Sequence, residues 1–322
     1  YGNGGNDYLY GDVGGVAGED TLYGGADDDY LDGGEESDEL HGGTGDDTIR
    51  GGEGDDLIVG LSGEDEIDGG GGNDRLDVSD LTGTGSYGVY VDLKYSDTFY
   101  NYTTAESGSI ANVEEVIGTP YNDVVFMGDS DSWFDGGGGD DYWQGGTGAD
   151  YYWGGTGTDT ASYANAASGV RVALQSFNSD GTGEAKDDVL LQVENLHGSG
   201  FDDHLTGDSQ NNVIRGNGGR DVINALTGSD TVYGGSGADT FVFQESYTVT
   251  HGRSSTTYTD RGDDVVKDYV DDVDRFEFIG YSASEISITT SGADAIIHAG
   301  FYVDIRVEDA ANTLDMGDLL FA

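Results

Sequence analysis

Sixteen aspartates occupy the same position of a nine-residue pattern, G-G-x-G-x-D-x-U-x, in which U is apolar. Residues 42–50 and 51–59 are two consecutive copies, or frames. The glycines permit the left-handed backbone of a tight turn, and backbone carbonyls can then point into the turn beside the carboxylate. Hard cations such as Ca²⁺ prefer oxygen ligands of this kind. The predicted metal ligands are Asp7, Asp20, Asp29, Asp38, Asp47, Asp56, Asp65, Asp74, Asp123, Asp141, Asp150, Asp159, Asp203, Asp221, Asp230 and Asp239.

An apolar residue follows each of these aspartates at the second position. The segment x-U-x is long enough only for a very short strand, with U pointing inward and both flanking residues outward. Nine residues then make half a coil and eighteen a full coil, so equivalent turns stack 18 residues apart. A disordered acidic linker would not need an apolar residue in register. In the first array these residues are Leu22, Leu31, Leu40, Ile49, Ile58, Ile67 and Leu76.

With these repeats the chain resembles the RTX family of secreted bacterial proteins. The resemblance implies an all-β fold, a parallel β-roll of calcium-binding nonapeptide repeats with strand-rich inserts and a C-terminal β cap. It also implies that each Ca²⁺ is held by carbonyls and Asp carboxylates of turns n and n+2. Pairing the ligands on that basis predicts about nine to eleven ions, with weak or absent binding where Ser132 and Asn212 replace the aspartate.

The register divides the chain into six segments. Residues 88–93 and 113–118 are echoed about 80 positions later, which indicates a super-repeat of one insert followed by about five frames. The predicted segments are a first array at 1–77, an insert at 78–117, a second array at 118–162, an insert at 163–197, a third array at 198–242, and a β cap at 243–322 whose end resembles a type I secretion signal. An ordinary last strand is the alternative for that end.

Two local features complete this segmentation. Residues 11–14 are four more than the repeat requires, which predicts an outward loop. The chain starts inside a frame, and we expect further protein upstream.

The composition restricts the class of partner. A formal net charge of −52 argues against nucleic acid and anionic membrane surfaces, and favours cations. No apolar run approaches the roughly 18 residues of a membrane span, which argues against membrane insertion. The chain has no cysteine, so any cross-linking must come from metal. Five scattered histidines and no visible cleft predict that it is not an enzyme.

The predicted function is a calcium-binding structural, surface or matrix module of a protein secreted by the type I route of a Gram-negative cell. It would fold on export, when millimolar calcium fills the roll. Homo-association or cell-surface and matrix contacts through divalent cations are expected. Two alternatives stay open: a non-catalytic carrier of an upstream secreted enzyme, such as a protease or epimerase, and an adhesin or ice-binding protein.

Overall fold

The chain forms two compact units, Tyr1–Asp159 and Thr160–Ala322. The boundary lies in the last frame of the predicted second array rather than in an insert. No helix in the described ranges combines the length and apolarity that crossing a membrane requires. The computed structural model describes residues 1–12, 17–81, 86–102, 104–177, 181–244, 246–251, 254–259, 263–270, 273–300, 303–311 and 313–321.

The first unit consists of β-strands joined by turns. Many strands are six residues long rather than the expected three, because the parallel pairing continues into the next frame, where Gly25 lies opposite Gly43 and Gly52 opposite Gly70. The strands are β1 Tyr8–Tyr10, β2 Thr21–Ala26, β3 Tyr30–Glu35, β4 Glu39–Thr44, β5 Thr48–Glu53, β6 Leu57–Val59, β7 Glu66–Gly71, β8 Arg75–Asp77, β9 Tyr87–Asp92, β10 Thr98–Asn101, β11 Glu106–Ala111, β12 Glu115–Ile117, β13 Asn122–Phe126, β14 Trp133–Asp135, β15 Tyr142–Gln144 and β16 Tyr151–Trp153.

Alternate frames of the first array stack into two parallel sheets. One sheet contains β1, β3, β5 and β7, and the other contains β2, β4, β6 and β8. Leu31 lies opposite Ile49, and Leu22 lies opposite Leu40, so equivalent residues 18 apart are neighbours. This arrangement confirms the predicted parallel β-roll.

The first insert continues both sheets, as expected. Strand β12 pairs in parallel with β8 on one side and β14 on the other. In the other sheet, β11 pairs in parallel with β7, and β10 and β9 follow as antiparallel neighbours. Strand β13 then pairs in parallel with β9. The insert therefore supplies three strands to one sheet and one to the other.

The apolar position of each frame forms the core. Leu31, Leu40, Ile49, Ile58 and Leu76 have no exposed surface. In the second array the same position carries large rings that stack along the core. The Phe134 and Tyr152 ring centroids are 5.3 Å apart, and those of Trp143 and Tyr152 are 5.4 Å apart. These three rings therefore pack inside the roll.

The second unit has the same construction. Its described residues include short 3₁₀ helices at Gly183–Ala185 and Met316–Asp318. The strands are β17 Thr160–Ser162, β18 Arg171–Ala173, β19 Ser176–Phe177, β20 Val189–Leu191, β21 Asn195–His197, β22 His204–Thr206, β23 Val213–Arg215, β24 Val222–Asn224, β25 Thr231–Tyr233, β26 Thr240–Gln244, β27 Ser246–His251, β28 Ser254–Thr259, β29 Asp263–Val266, β30 Arg275–Ile279, β31 Ile286–Ser291, β32 Asp294–Ala299, β33 Val303–Val307 and β34 Leu319–Phe321.

The roll extends further toward the C-terminus than the nonapeptide register predicts. One parallel sheet runs β17, β21, β23, β25, β29 and β33, and the other runs β18, β22, β24, β26, β30 and β34. Strands β31 and β32 close the first sheet in antiparallel pairing. The predicted β cap at 243–322 thus adds further coil layers before it ends the roll, and its last residue, Ala322, lies outside the described residues.

Candidate metal centres in the turns

The predicted ligand aspartates form hydrogen-bonded columns along the turns. The backbone N–H of Asp29 donates to Asp47 Oδ1 (2.9 Å), and that of Asp47 donates to Asp65 Oδ1 (2.9 Å). The spacing is 18 residues, as one full coil requires. The other pairs at this spacing are Asp20 with Asp38, Asp38 with Asp56, Asp56 with Asp74, Asp123 with Asp141, Asp141 with Asp159, Asp203 with Asp221, and Asp221 with Asp239.

The first frame joins the column with a longer spacing. Asp7 N–H donates to Asp29 Oδ1 (2.8 Å), 22 residues away. Four extra residues at 11–14 account for the difference, although residues 13–16 lie outside the described part of the chain. Fourteen of the sixteen predicted ligands are buried, and Asp7 and Asp20 are partly exposed.

The second carboxylate oxygen of most of these aspartates has no donor. In the described part of the chain, the buried Oδ2 atoms without a hydrogen-bond partner are those of Asp7, Asp29, Asp38, Asp47, Asp56, Asp65, Asp74, Asp141, Asp221 and Asp239. Burying an ionised carboxylate oxygen without a donor or counter-charge costs several kcal/mol. These oxygens therefore need a positive partner or a proton.

The first glycine of several frames shows what these oxygens face. A Cβ atom placed on Gly24 would lie 2.6 Å from Asp29 Oδ2 and 2.6 Å from the carbonyl oxygen of Gly42, which belongs to the next coil. Ca²⁺–oxygen distances are 2.3–2.6 Å. The absent side chain thus lets an Asp Oδ2 and a carbonyl oxygen of the next coil approach the same glycine, and we call this place a cradle. The same arrangement recurs at Gly2, Gly11, Gly33, Gly51, Gly136 and Gly216.

The donor set fits a hard cation held by backbone and carboxylate together. No three His, Cys, Asp or Glu side chains converge on a common point among the described residues. A cation in a cradle would therefore be bound by one or two carboxylates and by glycine carbonyls, which are the ligands that suit Ca²⁺.

The pKa values of the buried aspartates also indicate that the columns need a positively charged partner. Burial raises the pKa of Asp141 to about 9, and repulsion from Asp123 and Asp159 adds to the rise, while the hydrogen bond from Asp123 N–H opposes it. Burial likewise raises the pKa of Asp65 and Asp74 to about 7. Without a counter-charge these carboxyls are hard to keep ionised at neutral pH.

Asp123 and Asp203, like Asp150, have protein donors at both carboxylate oxygens. Asp123 accepts from Val89 N–H (2.7 Å), Thr119 N–H (2.7 Å) and Thr119 Oγ1–H (2.9 Å). Eighty residues later, Asp203 accepts from Val170 N–H, Ser199 N–H and Ser199 Oγ–H at 2.6–2.8 Å. In both turns a hydroxyl residue replaces the second glycine. The carboxylates that begin the second and third arrays therefore have N–H and O–H donors at both oxygens, although an added Cβ at Gly118 or Gly198 would also lie close to a carbonyl oxygen of the next coil.

The turns with a substituted ligand also differ from the cradles. Asn212 Nδ2–H donates to the Glu194 carbonyl of the previous coil (2.9 Å), and its Oδ1 accepts from Asp208 N–H (2.9 Å), so protein partners hold this amide. Ser132 N–H and Oγ–H both donate to Asp150 Oδ1. At Gly145 an added Cβ would lie 2.7 Å from Cη2 of Trp143, so a ring edge occupies the cradle there.

Three acidic residues join the columns although the nonapeptide register does not mark them. Asp230 N–H donates to Asp264 Oδ1 and Asp239 N–H to Asp274 Oδ1, both at 3.0 Å. Asp74 N–H donates to Glu114 Oε2 (3.0 Å). The sequence does contain a trace of each, because Asp264 and Asp274 precede apolar Val266 and Phe276 by two, and Glu114 precedes Asp123 by nine.

Comparison with known proteins agrees with this geometry. A sequence profile described as RTX calcium-binding nonapeptide repeat (4 copies) matches residues 1–15, 15–40, 41–76, 128–161, 197–232 and 215–243, just under half of the chain. RTX nonapeptide repeats bind calcium.

Among solved structures, the chain is similar to the extracellular lipase LipA from Serratia marcescens, with 14% identity over 92% of this chain. The match spans 40% of the lipase chain, and its TM-score of 0.25 supports no argument about shared fold or activity. No curated protein matches the chain.

Proposed function

We propose that this chain, which carries RTX calcium-binding nonapeptide repeats in both of its units, is a calcium-dependent folding module of a type I secreted protein, with a structural, surface or matrix role and no catalytic site. The observation that carries the proposal is the pair of oxygens in each cradle. A buried Asp Oδ2 without a donor faces a glycine carbonyl of the next coil, as at Asp29 and Gly42.

The chain's own residues account for most of the site. The first glycine keeps the cradle open, and the Asp Oδ1 fixes the carboxylate by accepting an N–H from the previous coil. The Oδ2 and the carbonyl oxygen of the next coil then lie beside the same glycine. Bound Ca²⁺ supplies the positive charge that both oxygens lack.

Because calcium binds only to the folded chain, these sites couple folding to the calcium concentration. A site that exists only in the folded chain stabilises it by RT ln(1 + [Ca²⁺]/Kd). With a Kd of about 10⁻⁴ M, typical of extracellular modules, millimolar calcium contributes about 1.4 kcal/mol per site. About ten sites would contribute about 14 kcal/mol, comparable with the stability of a whole domain. At submicromolar calcium this contribution vanishes, which suits a chain that must stay unfolded until it is exported.

The test is far-UV circular dichroism of the chain in calcium-free buffer and across a calcium series. We expect little β signal without calcium and a cooperative gain as calcium reaches the millimolar range. Magnesium should substitute poorly, because it demands octahedral geometry at shorter distances and dehydrates reluctantly. A fully formed β spectrum in excess chelator would refute calcium-driven folding.

The surface or matrix role rests on charge. The formal net charge is −52, and about ten bound Ca²⁺ ions would leave about −32, still a strong self-repulsion. Lateral association between chains would then depend on divalent cations that bridge acidic surfaces. Light scattering of the folded protein should show association as calcium rises from about 1 to about 10 mM. A monomer throughout that range would refute the association and leave the calcium sites unaffected.

A further inference from the structure

The first insert rebuilds a cradle at the end of the first array. A Cβ on Gly69 would lie 2.7 Å from Asp74 Oδ2 and in contact with the carbonyl oxygen of Asn112. At Gly24 the corresponding carbonyl comes from Gly42, the first glycine of the next coil. Asn112 therefore takes the place of that glycine, although it belongs to the insert and not to a nonapeptide frame.

Glu114 takes the place of the next aspartate in the column. Asp74 N–H donates to Glu114 Oε2 (3.0 Å), just as Asp56 N–H donates to Asp74 Oδ1 (2.9 Å). In a regular frame the carbonyl and the carboxylate belong to residues five apart, such as Gly69 and Asp74, whereas here they are two apart. The longer glutamate side chain compensates for the shorter turn.

The turn that carries these two ligands is fixed to the array. Asn112 has a left-handed backbone (φ 52°), and its Nδ2–H donates to Asp68 Oδ1 (2.7 Å). Strand β12 follows at once and places Val116 opposite Leu76, in the register of the roll.

Asp74 supplies the independent indication of a ligand. Its side chain has no exposed surface, and within the described residues its Oδ2 has no hydrogen-bond partner. That oxygen points into the cradle between Gly69 and Asn112. The environment is the one seen in the regular turns, with a buried carboxylate oxygen facing a carbonyl oxygen.

We propose that Asp74 Oδ2, the Asn112 carbonyl and the Glu114 carboxylate form a calcium site between the array and the insert, which no pair of nonapeptide frames supplies. The proposal rests on the proposed calcium-dependent function and extends it to the inserts, because this site ties the insert to the roll. The sequence repeats the elements 80 residues later, where Gln192 (φ 53°) and Glu194 correspond to Asn112 and Glu114.

The test compares Glu114→Gln with Glu115→Gln in the whole chain. Glutamine at 114 keeps the length and an oxygen that accepts from Asp74 N–H, but it removes the charge from the proposed site. Glu115 is the adjacent control, because it pairs at the surface with Arg75 and Asn73. Equilibrium dialysis against about 1 mM calcium measures bound ions per folded chain. We expect Glu114→Gln to bind one ion fewer than the wild type and Glu115→Gln to bind the same number.

A second measurement needs no variant and covers the case in which Glu114→Gln does not fold. Amide hydrogen exchange of residues 109–117 in the wild type should become slow over the same calcium range as the first array. An unchanged ion count in folded Glu114→Gln, or exchange in 109–117 that ignores calcium while the array responds, would overturn the site. A wild type that binds no calcium at all would instead overturn the proposed function.

Discussion

Gly24→Ala places a methyl group against the two oxygens that are expected to hold the cation and changes no ligand. The backbone at Gly24 lies outside the left-handed region, so alanine is conformationally acceptable there. Its Cβ would lie 2.6 Å from both Asp29 Oδ2 and the Gly42 carbonyl oxygen. If those oxygens hold an ion, the substitution removes one site. If they do not, it introduces only a local steric clash.

The two cases differ in how the loss of stability depends on calcium. With a Kd of about 10⁻⁴ M, removal of one site lowers the free energy of unfolding by about 1.4 kcal/mol at about 1 mM calcium and by about 2.7 kcal/mol at about 10 mM. A steric clash lowers the free energy of unfolding by the same amount at every calcium concentration. The expected growth of about 1.3 kcal/mol over that tenfold range is the linkage effect of one ion.

Urea denaturation followed by circular dichroism measures this difference. Gly18→Ala is the matched control, because no atom lies within 4 Å of an added Cβ there and the backbone is again outside the left-handed region. Replacing such a glycine stabilises by about 0.4–1 kcal/mol through the unfolded chain, independently of calcium. A destabilisation by Gly24→Ala that stays constant from about 1 to about 10 mM calcium would refute the assignment of the cradle.

Two further predictions follow from the same turns. Asp141→Asn removes the buried charge whose pKa burial raises, so we expect higher stability in chelator and a loss of about 1.4 kcal/mol at about 1 mM calcium. Asp123→Asn, which places an amide N–H where an oxygen accepts from Thr119, should lose about 1–3 kcal/mol in both conditions, and equal behaviour of the two variants in urea denaturation would contradict this account. The pKa values of Asp65, Asp74 and Asp141 are raised to about 7, 7 and 9 from an ordinary value of 3.8, so in calcium-free buffer the stability that their protonation contributes is complete below about pH 4 and is lost as the pH rises through the raised values. Circular dichroism should therefore show more β structure at acidic than at alkaline pH, and the reverse trend would refute this prediction.

The sequence predicts the regular part of the roll because its period maps directly onto the coil. A nine-residue repeat with one apolar position fixes both which side chain is buried and which residue lies above it. Leu31 and Ile49, 18 apart, are buried neighbours as the period requires. The aspartate columns follow from the same argument, since they occupy a single position of the same repeat.

The nine-residue period does not predict the column residues where extra residues lie between coils. Asp264 and Asp274 follow Asp230 and Asp239 by 34 and 35 residues, because the segment containing β27 and β28 intervenes. A search for aspartates nine apart cannot find them, and only the apolar residue two positions later remains as an indication. The missed position of Glu114 has a different cause, since a longer side chain on a shorter turn reaches the same point.

The frames that begin the second and third arrays show why a match to the repeat does not by itself define a metal site. A buried carboxylate can be stabilised either by N–H and O–H donors or by a cation. Thr119 and Ser199, in place of the second glycine, supply the donors to Asp123 and Asp203. We therefore expect these two turns, each of which lies where the chain re-enters the roll after an insert, to depend less on calcium than the cradles do.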